Sequence, residues 1–413
     1  MYELLHNYLL KMFYTFFSYH AFYNLMSDQV PDLKSKCLLS NDIYDYWWVA
    51  QGKVTVESID DKEDMMYADE AYDILGFTNE EKYNIYKLTS VVMHMGNLTK
   101  DFRPVGKEEQ ADIDAANETN AQKVATICGI DKEWMITYYC KPKLKVGTEW
   151  VNKGQTCTAA ASSVAGIGRS IYERVFRFIV EKCNDTLIDP TMKKIQYIGC
   201  LDIAGFEIFD YNGFEQICIN FANEKLQQFF NQHMFVLEQE EYVKEGIEWA
   251  NVDFGMDLQK CITMFEKPMG LLAILEEESL FPKATDATFA AKLHENLLGK
   301  CENFQKANPK PDPNAHFAVV HYAATVSYNL TSWLEKNKDP LNDTIIELMK
   351  NGSNALLIEC FKDHPGQPTE TKKDEGGGKK KKGGGKTGKI KLFKIPSIFI
   401  VVHDFKLKYV AYS

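Results

Sequence analysis

No C-x-x-C pair occurs among the ten cysteines, and no Cys/His spacing suits a metal. This excludes a zinc-ribbon or disulfide framework and fits reduced thiols in a cytosolic protein. No apolar run suits a membrane span. The one candidate, residues 1–17, is too short, carries Glu3, His6 and Lys11, and lacks a small-residue cleavage site. Positive charge is in deficit, with 47 Lys and Arg against 58 Asp and Glu, a net charge of −11. That balance argues against nucleic acid as the main partner. The phosphate-gripping pattern G-x-x-x-x-G-K-[ST] is also missing. Gly385-Lys386-Thr387 imitates its end, but the first glycine would fall on Lys380, and no strand precedes it and no helix follows.

What is present suffices for a large core. The 413 residues are 45% hydrophobic and 13% aromatic, enough for two or three domains. The stretch around which they are organised is Leu201-Asp-Ile-Ala-Gly-Phe-Glu207. The apolar residues 195–201 read as a buried strand, and the residues after Gly213 read as a long helix. Asp202 to Glu207 is therefore expected to be a loop at the C-terminal end of a strand, where α/β sheets bind ligands. Asp202 there can hold a magnesium-bound water, and Gly205 lets a bare backbone N–H approach a terminal phosphate. Taken alone, D-x-x-G also describes an ordinary strand-ending turn.

The longer string is more specific. Asp202-Ile-Ala-Gly-Phe-Glu207, followed by Asn212-Gly-Phe-Glu-Gln216 and Asn223-Glu-Lys-Leu-Gln227, resembles the second switch and relay helix of the myosin motor, in its conventional, muscle-like class. The resemblance covers residues 18–389 and implies a mostly helical α/β fold. That fold is a partial motor domain related to P-loop NTPases, with upper and lower actin-binding subdomains and an incomplete central sheet. The implied division is 18–200 for the upper subdomain, with a long helix at 159–189, then 201–250 for switch loop, relay helix and relay loop, and 251–363 for the lower subdomain. Residues 364–389 form a disordered lysine- and glycine-rich surface loop. Residues 1–17 and 390–413 match nothing in the family.

Several segments can be read beside that resemblance. Residues 79–95 place Ile85, Leu88, Val92 and Met95 on one helical face, with His94 as a core histidine. Residues 139–151 alternate as a hairpin. An ordinary solvated hairpin would look the same, but its position in the family implies an actin contact through Lys141, Lys143, Lys145 and Glu149. The helix from Phe214 to about Tyr242, with Phe214, Ile217, Phe221, Leu226, Phe229, Phe230, Met234 and Leu237 in register, would span roughly 40 Å. Pro268 and Gly270 break two helical runs. Apolar residues at such a bend can simply pack inward; the resemblance makes this the actin-docking tip, with Lys260, Lys267, Pro268, Met269, Leu271 and Leu272. Lys379, Lys380, Lys381 and Lys382 lie in the tract that would attract actin's acidic surface in a salt-dependent way.

Family membership implies actin-activated ATP hydrolysis with Mg2+, cytoskeletal or muscle-filament location, and light chains and a dimerising tail outside these residues. Asp202, Ala204, Gly205 and Phe206 would face the nucleotide and Asp202 the Mg2+ through water. Glu207 would pair with an arginine of the first switch, which this sequence does not contain. The expectation is an actin-binding chain with half of a nucleotide switch and no ATPase activity alone. Two other classes compete: an independent nucleotide-hydrolysing enzyme using Gly385-Lys386-Thr387, and a polyanion-binding protein using the lysine run. Neither a membrane nor nucleic acid is expected as a partner.

Overall fold

A computed structural model describes residues 18–106, 108–146, 149–187, 202–253, 258–281, 283–310, 312–338 and 341–365. They form two compact units, one drawn from 18–187 with 341–365 and the other from 202–338. The strand expected at 195–201 and the lysine tract lie outside the described residues.

The first unit begins with short helices α1 (His20–Asn24) and α2 (Leu33–Lys36), then α3 (Asp61–Ile74) and α4 (Asn79–Leu98). Helix α4 starts on a reciprocal cap. The Thr78 Oγ1 accepts from the Glu81 N–H at 3.2 Å while the Glu81 carboxylate accepts from the Thr78 N–H at 2.9 Å. All four residues expected on its apolar face are buried, and with them His94. A small antiparallel pair, β1 (Phe102–Val105) with β2 (Gln110–Ile113), leads to α5 (Thr119–Cys128) and α6 (Lys132–Cys140). The hairpin at 139–151 is present as β3 (Lys143–Val146) paired antiparallel with β4 (Glu149–Asn152), and Cys157–Leu187 forms α7. Helices α5 and α7 pack on α4, so the interior of this unit is built around that helix.

In the second unit residues 202–209 have no regular secondary structure, in keeping with the loop expected at 202–207. Helix α8 (Phe214–Asn231) runs without a break into a π-helical segment, Gln232–Leu237, and then α9 (Glu238–Lys244). The apolar register read along this helix is buried only in its first half. Phe214, Ile217 and Phe221 are buried, whereas Phe230, Met234 and Leu237 are exposed. The helix leaves the core near its π segment, a form often found at functional sites.

Beyond it come α10 (Gln259–Glu266), α11 (Leu271–Leu280) and α12 (Asp286–Leu297). An antiparallel sheet follows, β5 (Phe304–Gln305), β6 (Phe317–Val320) and β7 (Thr325–Tyr328), and then α13 (Trp333–Lys338). The fully buried Phe265, Phe289, Phe304, Phe317 and Trp333 centre this core. Each aromatic of this kind contributes on the order of 1.5–3 kcal/mol through burial.

The chain then returns to the first unit as α14 (Asp343–Lys350), packed on α6, and α15 (Ala355–Phe361), packed on α4 and α7. The units therefore divide the chain differently from the expected segment 251–363. Ile345, Ile346, Met349, Leu357 and Phe361 bury their side chains in the first core, so residues 341–365 belong there. Among the described residues every strand pair is antiparallel, and no helix is long and apolar enough to cross a membrane.

Candidate functional site

The 202–209 loop is fastened by asparagines of the helix that follows it. Asn220 is completely buried. Its Oδ1 accepts from the Glu207 N–H at 2.8 Å, and its Nδ2 donates to the Glu207 carbonyl at 2.8 Å and to the Tyr328 hydroxyl at 2.9 Å. One helix turn later, Asn223 Nδ2 donates to the Ala204 carbonyl at 2.9 Å. At the helix start, Gln216 accepts from the Gly213 N–H at 3.0 Å and reaches Glu207 Oε2 with its Nε2 at 3.3 Å. Asn212 closes the turn on Phe209 and donates to the Ser327 carbonyl at 3.2 Å, joining the loop to β7. The Phe206 ring lies edge-on to His321 and Tyr322, with centroids 5.3 and 5.5 Å away.

Held in this way at Ala204, Phe206 and Glu207, the loop leaves other groups open. Asp202, Ala204 and Gly205 are exposed. Among the described residues the Asp202 carboxylate has no hydrogen-bond or ion-pair partner, and the Gly205 N–H donates to nothing. No atom lies within 4 Å of where a Gly205 Cβ would stand. Packing therefore does not demand a glycine there; close approach of a ligand to the backbone would. These groups suit Mg2+ and phosphate: a free hard carboxylate, and a bare N–H with space in front of it.

Glu207, expected to want an arginine, has the Gln216 amide as a neutral partner. Sequence reasoning missed Asn220, Asn223 and Gln216, although a signal was there. Asn220 and Glu224 fall on the same helical face as Ile217 and Phe221, and polar residues on a buried stripe need partners.

The remaining site residues sit on two features. In the first unit Lys141 is exposed, and the Lys143 ammonium lies 5.5 Å from the Tyr138 ring centroid. Lys145 pairs with Trp150, and Glu149 with Val146, in the hairpin register. In the second unit Lys260 is exposed on α10 and paired with Glu302 at 3.3 Å, and Lys267, Pro268, Met269 and Gly270 form the bend before α11. Met269 has φ +60°, and a Cβ on Gly270 would lie 2.5 Å from the Met264 carbonyl oxygen, so the bend is tight and fixed.

The bend exposes Pro268 and Met269 but turns Leu271 fully into the core and leaves Leu272 half-buried against it. Leu271 opens α11 on the same inward face as Ile274 and Leu275, which corrects its expected place on a docking surface. Substituting Met269 with alanine is expected to leave urea unfolding within about 0.5 kcal/mol of wild type, because the side chain touches no core. Lys379, Lys380, Lys381 and Lys382 lie outside the described residues.

A family model described as "Myosin head (motor domain)" matches residues 14–395. The match runs past both bounds read from the sequence, 18 and 389, so residues 14–17 and 390–395 fall within it.

Proposed function

The chain belongs to the myosin head (motor domain) family, whose function is actin binding and ATP hydrolysis with Mg2+, and on that premise we propose that it supplies the second switch and the actin-facing surfaces of a conventional, muscle-like motor. The observation that carries this reading is the Asp202–Glu207 loop, open towards ligand and clamped by Asn220 and Asn223 to a helix that continues as far as Lys244. Asp202 would hold Mg2+ through water, and the Gly205 N–H would meet the terminal phosphate. The ion would neutralise phosphate charge. A displacement of Gly205 would be passed through the Ala204 and Glu207 peptides to α8, because those peptides bond to its asparagines.

Actin contacts fall to the β3–β4 hairpin with Lys141, Lys143, Lys145 and Glu149, to the bend with Lys260, Lys267, Pro268 and Met269, and to the lysine tract 379–382. A muscle-filament location follows from the same reading. No G-x-x-x-x-G-K-[ST] string to grip the α- and β-phosphates occurs in the 413 residues, and on this reading Glu207 lacks a first-switch arginine. We therefore place ATP turnover beyond what this chain does alone. The test is phosphate release by the full chain with and without filamentous actin. Release at background in both conditions is expected, and turnover above background overturns this part. A Met269→Ala chain that keeps its fold should also bind actin more weakly than wild type; undiminished binding removes the bend from the contact surface.

A further inference from the structure

Beneath the switch loop, three residues distant in sequence meet in the interior of the second unit. Glu224 on α8, Cys261 on α10 and His321 after β6 are each buried, and their ligating atoms lie within 4.8 Å of one another. Glu224 Oε2 accepts from the Tyr322 N–H at 3.1 Å and stands 3.1 Å from His321 Nδ1. Glu224 Oε1 is buried and has no hydrogen-bond partner. A buried carboxylate oxygen without a hydrogen-bond partner, beside a thiol and an imidazole, is a group that a cation would satisfy.

We infer that Glu224, Cys261 and His321 form a site for a borderline divalent metal ion such as Zn2+. Mixed oxygen, sulfur and nitrogen donors suit that ion and disfavour Mg2+ or Ca2+, which take oxygen alone. Tetrahedral zinc with bonds of about 2.0–2.3 Å sets its ligands about 3.3–3.8 Å apart, within reach of the spacing here. Both Glu224 oxygens can coordinate, which gives the otherwise unbonded Oε1 a partner. Thiolate and carboxylate together carry two negative charges, so the ion leaves the buried site neutral. The support behind the ligands is in place: Tyr328 Oη lies 2.9 Å from His321 Nε2, fixing the ring from its far side, and Asn220 in turn donates to that hydroxyl.

The metal would enter past the Phe206 ring, which covers His321 and Tyr322 from a loop without regular structure. Uptake breaks the Cys261 S–H bond, forms a metal–sulfur bond and releases the proton to solvent, because the metal is bound by the thiolate.

The test titrates the reduced full-length chain with Co2+ as the probe metal and follows the thiolate-to-cobalt charge-transfer absorption. One equivalent is expected to saturate the band, with release of one proton. Cys261→Ser should abolish the band, and Cys128→Ser, which removes a buried thiol of the other unit, should keep it. Tyr328→Phe retains all three ligands but frees His321 Nε2, and should weaken Co2+ affinity about 10–100-fold. Circular dichroism establishes that each variant is folded. If Cys261→Ser does not fold, the Tyr328→Phe shift decides. Absence of the band in the folded wild type, its survival in Cys261→Ser, or unchanged affinity in Tyr328→Phe overturns the site.

Discussion

Asn220→Ala is expected to destabilise the second unit by about 2–4 kcal/mol and to set the 202–209 loop free. The substitution removes three hydrogen bonds and strands the Glu207 N–H and carbonyl. Each such group left unpaired costs about 1–3 kcal/mol when water cannot replace the partner. Tyr328 suffers less, because its hydroxyl keeps His321. Asn223→Ala loses a more exposed bond to Ala204 and is expected to cost about 1 kcal/mol or less. Denaturant unfolding with amide hydrogen exchange at residues 204–209 separates these outcomes. The loop should exchange faster in Asn220→Ala than in Asn223→Ala. Equal stability and equal exchange in both would mean that the Asn220 clamp is not what holds the loop.

Acidification is expected to weaken the first unit through His94, by up to about 3 kcal/mol between pH 6.5 and about pH 4. Burial is the main cause that lowers this imidazole from 6.5 to about 4, and every tenfold loss of proton affinity corresponds to about 1.4 kcal/mol. His94 Nε2 donates to the Cys37 carbonyl at 2.9 Å, and Nδ1 has no partner, so the folded protein holds the ring neutral. The sign follows from proton counting. Below pH 6.5 the unfolded chain takes up a proton that the folded chain refuses until about pH 4, so stability falls with pH through that window and levels off beneath it. His94→Gln keeps an N–H donor but cannot titrate. The difference in unfolding free energy between wild type and variant should shrink by this amount from pH 7 to about pH 4.5, and a constant difference would contradict it.

Local periodicity made much of the fold legible. The helix at 79–98, the long helix from Cys157, the broken helices around Pro268 and the hairpin at 139–152 follow from apolar spacing and from Pro and Gly positions. The π segment at 232–237 was not legible, because it leaves the apolar spacing unchanged while the helix departs from the core. The return of residues 341–365 to the first unit was also hidden. Long-range packing of Ile345, Met349 and Phe361 decides it, and no local pattern records which core an amphipathic helix joins.

Asp202 and Gly205 stand out in the D-x-x-G string as candidate ligand groups, and the structure leaves both open. The groups that restrain the loop could not. Asn220 reads as one polar residue in a helix until Tyr328, more than a hundred residues later, is placed beside it. Leu271 shows the converse: beside Met269 in sequence it looks like part of an exposed apolar tip, but one turn of geometry sends it inward.

Co-sedimentation of the full chain with filamentous actin across a range of ionic strength tests the functional reading most directly. Lysines at 141, 143, 145 and 379–382 meeting an acidic filament should give a bound fraction that is highest at low salt and falls steadily as the Debye length shrinks below about 10 Å. Failure to bind at low salt, or binding that ignores salt, would contradict it.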